Sequence, residues 1–443
     1  MRERLRRYID MAVDEDPDAI LGRVEKLTRA MRPVRTKRRH ARNLVALARE
    51  QDRANRPRDA LVVLDEAVTL ARRVDREGDV LARALAIQAV CRLRIDDNEG
   101  AIDVATEAIR LLEPLAARKP RPYAFYLRQA RWALAMAHYD LDQLAEAVPA
   151  LERYIPMVRA MPELRPWEEI NMLAAALFDL DRAADALPHV VEVVRLLRPL
   201  TVTDPATHEA QLAEALAFEV NCRLHTGQWH EACDIAAESV AILRRLVDAG
   251  QDQYQEPLAK VSFNFAQVSG GEPEHFSEAI GIIRGLSDAQ TPYLAGALYV
   301  SMRPLIDAGR DEEALTAGTE AAALYRRLAE TDPDYYASLL ALVLFELGRV
   351  GEPAERLANL EEAVRLWRVA ASPEQSNFAD ILAAMLVDIA SCLDEIGQDG
   401  RAAAQEAVEL YREIVRNPPE DVYSDWYPER LAKAEALLRR LSG

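Results

Sequence analysis

The stretch ALTAGTEAAALYR, residues 314–326, decides how the chain folds, because its second half recurs along almost the whole sequence. That half, EAAALYR, begins with an acidic residue and a small residue, continues with apolar residues and ends with a basic residue. Weaker copies begin at Arg153 and Glu25, and nine intervals between residues 25 and 406 average about 42 residues. Such a period predicts a repeat architecture. The full copies begin at Glu66, Glu107, Glu192, Glu238, Glu278, Glu320, Glu362 and Glu406.

Small residues mark each copy as half of a helix. A spacing of seven residues is two helical turns, so both members of a pair lie on one face and allow a neighbouring helix to approach closely. The pairs are Ala60/Ala67, Ala101/Ala108, Ala186/Val193, Ala232/Ser239 and Ala314/Ala321.

A second amphipathic helix precedes each copy, as in YLRQARWALAMAHYDL at 126–141. Short turns join the two helices, often with a glycine such as Gly227, Gly309 or Gly397. Proline usually separates one pair from the next, because it cannot continue a helix. These prolines are Pro33, Pro120, Pro166, Pro205, Pro292, Pro333, Pro373 and Pro418.

The pattern resembles the tetratricopeptide repeat (TPR), in the longer form of kinesin light chains and actinobacterial proteins. Leu47-Ala48, Leu134-Ala135 and Leu173-Ala174 match the family's first helix, and the small pairs match its second. The resemblance implies an all-α protein, an α-solenoid with a right-handed superhelix of about ten helical hairpins. It also implies that first helices line a concave groove that binds proteins or peptides.

We expect a single array over residues 1–443, with a degenerate unit at 1–34, nine units at 35–416 and a capping helix at 421–441. Two units depart from the pattern. GGEPEHFSEAI is expected to shorten the second helix near Glu278, and GRVGEPAERLANLEEAV to lengthen the one near Glu362.

Composition excludes several classes of protein. A net charge of −18 disfavours non-specific contact with nucleic acid or anionic membranes. Four scattered cysteines do not form a disulfide framework, and no apolar stretch reaches the length of a membrane span. The N-terminus lacks the apolar core of a signal peptide, and arginine far outnumbers lysine. We expect a cytoplasmic, bacterial protein.

No motif indicates an enzyme, since a nucleotide-binding glycine loop, a nucleophile elbow and HExxH are all missing. We expect no cofactor. Cys222, His225, His230 and Cys233 have residue types and spacings that zinc could use. However, both cysteines fall at small core positions of the repeat and both histidines at solvent-facing ones, which favours the absence of a metal.

A basic segment lies near the N-terminus. Residues 1–45 hold 13 basic and 7 acidic residues, whereas the remainder holds 42 and 66. This basic arm is either a solvated helix start or a docking site for an acidic partner surface, for nucleic acid or for another copy's acidic body. No helix-turn-helix precedes the array, which disfavours sequence-specific DNA binding. The arm comprises Arg29, Arg32, Arg35, Lys37, Arg38, Arg39 and Arg42.

The groove carries the main binding hypothesis. Asn171, Asn221 and Asn264 fall near inner positions of the fifth to seventh units, and Lys260 shares a face with Asn264. An asparagine amide both donates and accepts hydrogen bonds, which suits a peptide backbone. Trp132 and Tyr139 are expected on the same surface one unit earlier. The alternative is that these polar residues only solvate the groove.

These features predict a protein- or peptide-binding scaffold or adaptor. Two alternatives stay open, a peptide-responsive regulatory sensor and a sensor or partner subunit for a separately encoded effector enzyme.

Overall fold

A computed structural model describes residues 37–75, 77–161, 166–286, 291–370, 378–417 and 426–442. The repeat predicts helical hairpins, and helices account for all regular secondary structure in these ranges. The TPR-like, all-α solenoid architecture is thereby confirmed. The degenerate unit 1–34, with Arg29 and Arg32, and the neighbouring Arg35 lie outside the described residues.

The chain divides into two compact units, Met1–Gln228 and Trp229–Gly443. The helices of the first unit are α1 (Lys37–Arg53), α2 (Pro57–Val74), α3 (Asp79–Leu93), α4 (Asn98–Arg118), α5 (Pro120–Asp140), α6 (Leu144–Arg159), α7 (Trp167–Asp179), α8 (Ala183–Thr203) and α9 (Pro205–His225).

The second unit begins with α10 (Trp229–Asp248) and a short 3-10 turn (Asp252–Tyr254). Its other helices are α11 (Gln255–Val268), α12 (Pro273–Arg284), α13 (Thr291–Asp307), α14 (Asp311–Leu328), α15 (Pro333–Leu347), α16 (Pro353–Ala370), α17 (Phe378–Glu395), α18 (Arg401–Arg416) and α19 (Tyr427–Ser442). Odd-numbered helices from α1 to α17 are the first helices of the hairpins.

The turns within hairpins share one backbone conformation. Gly309 and Gly397 take positive φ values of 70° and 73°, which glycine adopts without steric cost. Non-glycine residues with short polar side chains take the same conformation in the first unit, where the sequence offers no glycine. They are Asn55, Asp96, Asp142 and Asp181, with φ between 57° and 64°.

Helix starts follow the proline and cap signals. Pro120, Pro205 and Pro333 each occupy the first turn of a helix, where the missing N–H costs nothing. The carboxylates of Asp204 and Asp332 accept hydrogen bonds from backbone N–H groups three residues later. Such caps satisfy donors that the helix itself leaves open.

The small residues of the second helices are completely buried. Ala60 and Ala67 of α2 have no exposed surface, and neither do Ala314 and Ala321 of α14. Interiors of this density leave no room for a larger side chain. The paired small residues are therefore the positions at which neighbouring helices meet.

Three pairs of neighbouring first helices also touch directly within the described residues. Helix α1 contacts α3, α3 contacts α5, and α13 contacts α15. Within the described parts of each unit, neighbouring second helices are not in comparably close contact. At these pairs the first helices therefore lie closer together than the second helices do. We call the first-helix side of the hairpins the inner side and the second-helix side the outer side.

A ladder of ion pairs spans the outer side. The arginine that closes one motif bonds the glutamate that opens the next, as Arg326 does to Glu362 at 3.0 Å. Further rungs are Arg72–Glu107, Arg159–Glu192, Arg244–Glu278, Arg284–Glu320 and Arg368–Glu406. The motif thus begins with an acid and ends with a cation because each end pairs with a neighbouring copy.

The two irregular units differ from one another. Helix α12 has 12 residues against 18 in α14, so the expected shortening is confirmed. The expected lengthening near Glu362 is wrong, because α16 also has 18 residues. The additional residues extend the turn before it, where the Arg356 side chain donates to the carbonyl of Gly348.

Helix α19 covers the end of the second unit. It packs on α18 and α17, buries Tyr427, Ala434 and Leu437, and pairs Arg430 with Asp380. Its described part runs from Tyr427 to Ser442, and the expected start at 421 lies outside the described residues. An apolar end covered in this way is what a finite repeat array requires.

We predict that Ala321→Leu lowers the free energy of unfolding by about 1–3 kcal/mol, because overpacking a filled contact forces its neighbours apart. Ala323→Leu in the same helix is the matched control, since Ala323 is exposed. Urea and thermal unfolding of both variants measure the effect. Equal midpoints for the two variants would contradict the packing role of Ala321.

We predict that Arg326→Glu destabilises the protein slightly and that adding Glu362→Arg recovers most of the loss. An exposed pair contributes only about 0.2–1 kcal/mol, so the signal is the coupling in a double-mutant cycle. Arg327→Glu, at the adjacent exposed position, controls for the change of charge near the helix end. Absence of coupling between residues 326 and 362 would show that the rung contributes nothing.

Candidate functional site

The inner side of the first unit contains a cavity of about 240 Å³ between α1, α3 and α5. These are the first helices of three successive hairpins, so the cavity opens where the TPR resemblance places the binding groove. We call it the arginine pocket. It is lined by Arg42, Val45, Ala46, Arg49, Glu50, Asp79, Val80, Arg83 and Tyr126.

Two arginines of the pocket stack on aromatic rings of α5. The Arg49 guanidinium carbon lies 5.1 Å from the centroid of Phe125. The Arg83 carbon lies 5.1 Å from the Tyr123 ring and 5.5 Å from the Tyr126 ring. Stacking holds a guanidinium by its face and leaves the N–H groups at its edge available to bind.

Asp79, an acidic residue of the pocket lining, already interacts with arginines of the protein. Asp79 is buried and accepts a hydrogen bond of 2.8 Å from Arg38. Arg42 and Arg83 each approach the other carboxylate oxygen of Asp79 at 3.6 Å. Three guanidinium groups thus approach this one carboxylate, and Arg38 also pairs with Glu77 and, at 3.3 Å, with Asp75.

The described part of the basic arm is divided between protein contacts and solvent. Hydrogen bonds to Glu77 and Asp79 raise the pKa of Arg38, so this residue ties the start of α1 to the start of α3. Arg42 lines the arginine pocket. Lys37 and Arg39 are exposed.

The other groove residues lie on both sides of the boundary between units. Trp132 in α5 is only 5% exposed, so little of its surface is available to a ligand, and Tyr139 is half-buried. Asn171 in α7 and Asn221 in α9 are half-buried. The backbone carbonyl of Asn221 accepts a hydrogen bond of 2.9 Å from Nδ1 of His225.

In the second unit, Asn264 of α11 is half-buried. Lys260 is exposed and pairs with Glu256 at 2.7 Å, and the hydroxyl of Tyr293 donates to its carbonyl at 3.5 Å. Lys260 is therefore already bonded to a neighbour on its own helix.

The zinc hypothesis involves side chains in different surroundings. Cys222 is fully buried, and the His225 ring lies edge-to-face on Phe178 at 4.8 Å. In the second unit, Cys233 is half-buried and His230 is exposed. Across the described residues, no group of three or more His, Cys, Asp or Glu side chains could hold a metal ion.

Burial also governs the thiols. It raises the pKa of Cys222 to about 12, with a further contribution from the charge of Glu219. Burial likewise raises the pKa of Cys91 and Cys392. These thiols stay protonated near neutral pH, and a protonated thiol is a poor nucleophile and metal ligand.

Reasoning from the repeat missed Arg49, Arg83, Phe125 and Tyr126, because they are not motif residues. One signal was present in the sequence. Helices α1, α3 and α5 all carry arginine, whereas the first helices α7, α15 and α17 contain neither lysine nor arginine. Cations on the inner side are thus concentrated at the start of the array.

No helix of the described ranges combines the length and the apolar character needed to cross a bilayer.

Comparisons with known proteins give distant likenesses. No family model matches the chain, and no curated protein matches it. Among solved structures, the apo form of RapI is 10% identical and aligns over 85% of this chain and 99% of its own, with a TM-score of 0.48.

Two further structures are also distantly similar. A signal-transduction ATPase with a tetratricopeptide repeat sensor from Pyrococcus horikoshii is 12% identical over 81% of this chain and 53% of its own, with a TM-score of 0.47. A kinesin light chain with TPR-like repeats from Podosopora anserina is 17% identical over 47% and 97%, with a TM-score of 0.34. The fold assignment rests on the repeat and on the packing of the hairpins.

We predict that iodoacetamide labels Cys233 well before Cys222 in the native protein at pH 8. Cys222 is buried and its pKa of about 12 keeps the thiol protonated there, whereas Cys233 is half-buried. Mass spectrometry of the digested protein measures the order, and labelling in urea is the control. Equal labelling rates in the native state would contradict the burial of Cys222.

Proposed function

We propose that this TPR-like protein is a non-catalytic scaffold or adaptor that binds a protein or peptide on the inner side of its hairpins. The arginine pocket is the observation that carries the proposal. It is a concave site between first helices, and it presents guanidinium groups beside aromatic rings. Arginine and aromatic residues are the types that dominate protein interfaces.

The same proposal includes the other inner residues. Asn171 and Asn221 in the first unit, and Lys260 and Asn264 in the second, would contact the backbone of a bound segment. Tyr139 and the edge of Trp132 would add apolar contact. Each unit could bind its own part of a partner, since the proposal requires no particular arrangement of the two units.

The basic arm would contribute long-range attraction. Its exposed members Lys37 and Arg39 lie at the start of α1, the helix that also supplies Arg42 and Arg49 to the pocket. A positive region of this kind accelerates encounter with an acidic partner, and salt weakens the effect. We further propose that the protein is cytoplasmic and acts on neither membranes nor nucleic acid.

A regulatory sensor is the second candidate. The short α12 interrupts the regular series of second helices, so the stacking of the second unit could change there when a peptide binds. The effector would then be a separately encoded protein, and an enzyme is one possibility. Hydrogen exchange in α12 and α13, with and without the partner, separates a sensor from a passive scaffold.

We predict that a photo-crosslinking amino acid at position 46 captures a partner in the native cell and that one at position 62 does not. Ala46 lines the arginine pocket, and Val62 is 73% exposed on the second helix of the same hairpin. The two positions belong to the same hairpin and differ mainly in that position 46 lies on its inner side and position 62 on its outer side. Mass spectrometry identifies the captured protein, and thermal unfolding confirms that both variants are folded.

A stronger cross-link from position 62 would place the interface on the outer side and contradict the proposal. With the partner identified, the combined change of Asn171, Asn221 and Asn264 to alanine tests the rest of the groove. Each lost hydrogen bond weakens binding by about 1 kcal/mol. Unchanged affinity would restrict the binding surface to the arginine pocket.

A further inference from the structure

We propose that the arginine pocket receives the side-chain carboxylate of an internal glutamate or aspartate of the partner. The inference rests on the proposed function and names the chemical group that is recognised. It depends on the contacts of Arg49, on the net charge of the residues that line the pocket and on the apolar part of the pocket wall.

Arg49 is the residue of the pocket whose hydrogen-bond donors most clearly lack an acceptor. Within the described residues no carboxylate pairs with its guanidinium, and its Nε is buried without a hydrogen-bond acceptor. The Nε of Arg83 is likewise buried without a hydrogen-bond acceptor. A guanidinium whose donors lack an acceptor is costly to bury, so an oxygen ligand that reached the terminal nitrogens of these groups would be stabilised. A carboxylate matches the edge of a guanidinium with two parallel hydrogen bonds.

The charge of the pocket favours a single negative charge. Three arginines and two acids line it, and Asp79 also accepts a hydrogen bond from Arg38. A carboxylate would neutralise the positive surplus of the lining. A phosphate carries nearly two negative charges, and the excess would face Glu50 and Asp79. The pocket is therefore better matched to a carboxylate than to a phosphorylated residue.

The wall of the pocket favours a side chain over a chain end. Val45, Ala46 and Val80 provide an apolar surface on which the methylene groups of a glutamate could lie. A terminal carboxylate is attached to a branched Cα, whose own side chain would need a second cavity. An unbranched acidic side chain can enter one cavity while its backbone continues on both sides.

The test uses N-acetyl-glutamate N-methylamide as the probe, with the glutamine analogue as its uncharged match. The full-length protein is labelled with ¹⁵N-arginine, and side-chain Nε–H signals are followed by NMR as each probe is raised to tens of millimolar. Arg49→Gln and Arg83→Gln identify the two signals. We expect saturable shifts of both with the glutamate probe and at least tenfold weaker binding of the glutamine probe.

Arg49→Gln should weaken binding of the glutamate probe at least tenfold. Arg73→Gln is the matched control, because it removes the same charge from an exposed position on α2 and should leave binding unchanged. Thermal midpoints show that the variants are folded. N-acetyl-alanine, which has only a terminal carboxylate, should bind more weakly than the glutamate probe.

Three results would overturn the inference: no saturable shift, equal binding of the glutamate and glutamine probes, or tighter binding of N-acetyl-alanine. The proposed function fails separately. If position 46 still cross-links to a partner while the glutamate probe does not bind, the inner side is an interface that recognises other groups. If the probe binds but only position 62 cross-links, the carboxylate site stands and the partner lies elsewhere.

Discussion

Close contact between helices at small residues is the constraint on which this structure depends. Ala60 and Ala67, or Ala314 and Ala321, leave no surface exposed because another helix lies directly on them. Their spacing turns one face of every second helix toward its neighbours. The first helices are then brought into contact on the other side of the stack, and this inner side holds the arginine pocket. Packing residues thus determine where the arginine pocket lies without lining it.

The fold could be predicted because its signals are local and repeated. A pair such as Ala314/Ala321 reports a helix face within two turns, and each further copy supports the same interpretation. The residue at which α16 begins could not be predicted in this way, because the extra residues before Glu362 fit either a longer helix or a longer turn. The contact between Arg356 and the carbonyl of Gly348 accompanies the longer turn.

The candidate site was less predictable for a physical reason. Arg49, Arg83 and Phe125 come from three different hairpins, and nothing in their local sequence relates one to another. Their contacts exist only after α1, α3 and α5 have stacked. Trp132 is the opposite case, because the sequence indicated it as a groove residue and the structure buries it almost fully. Which face of a first helix meets solvent depends on both neighbouring hairpins.

The ladder of outer ion pairs bears on how such an array can grow or shrink by recombination. Losing one whole period usually rejoins a closing arginine to an opening glutamate, so the chain tolerates the deletion electrostatically. Polarity reverses at one place, because the copy from Glu107 closes with Glu113 and the next opens with Arg153. Removing either copy alone would set like charges together, Arg72 against Arg153 or Glu113 against Glu192. Removing both would restore a matched pair, so deleting these two repeats together disturbs the outer ion pairs less than deleting either one.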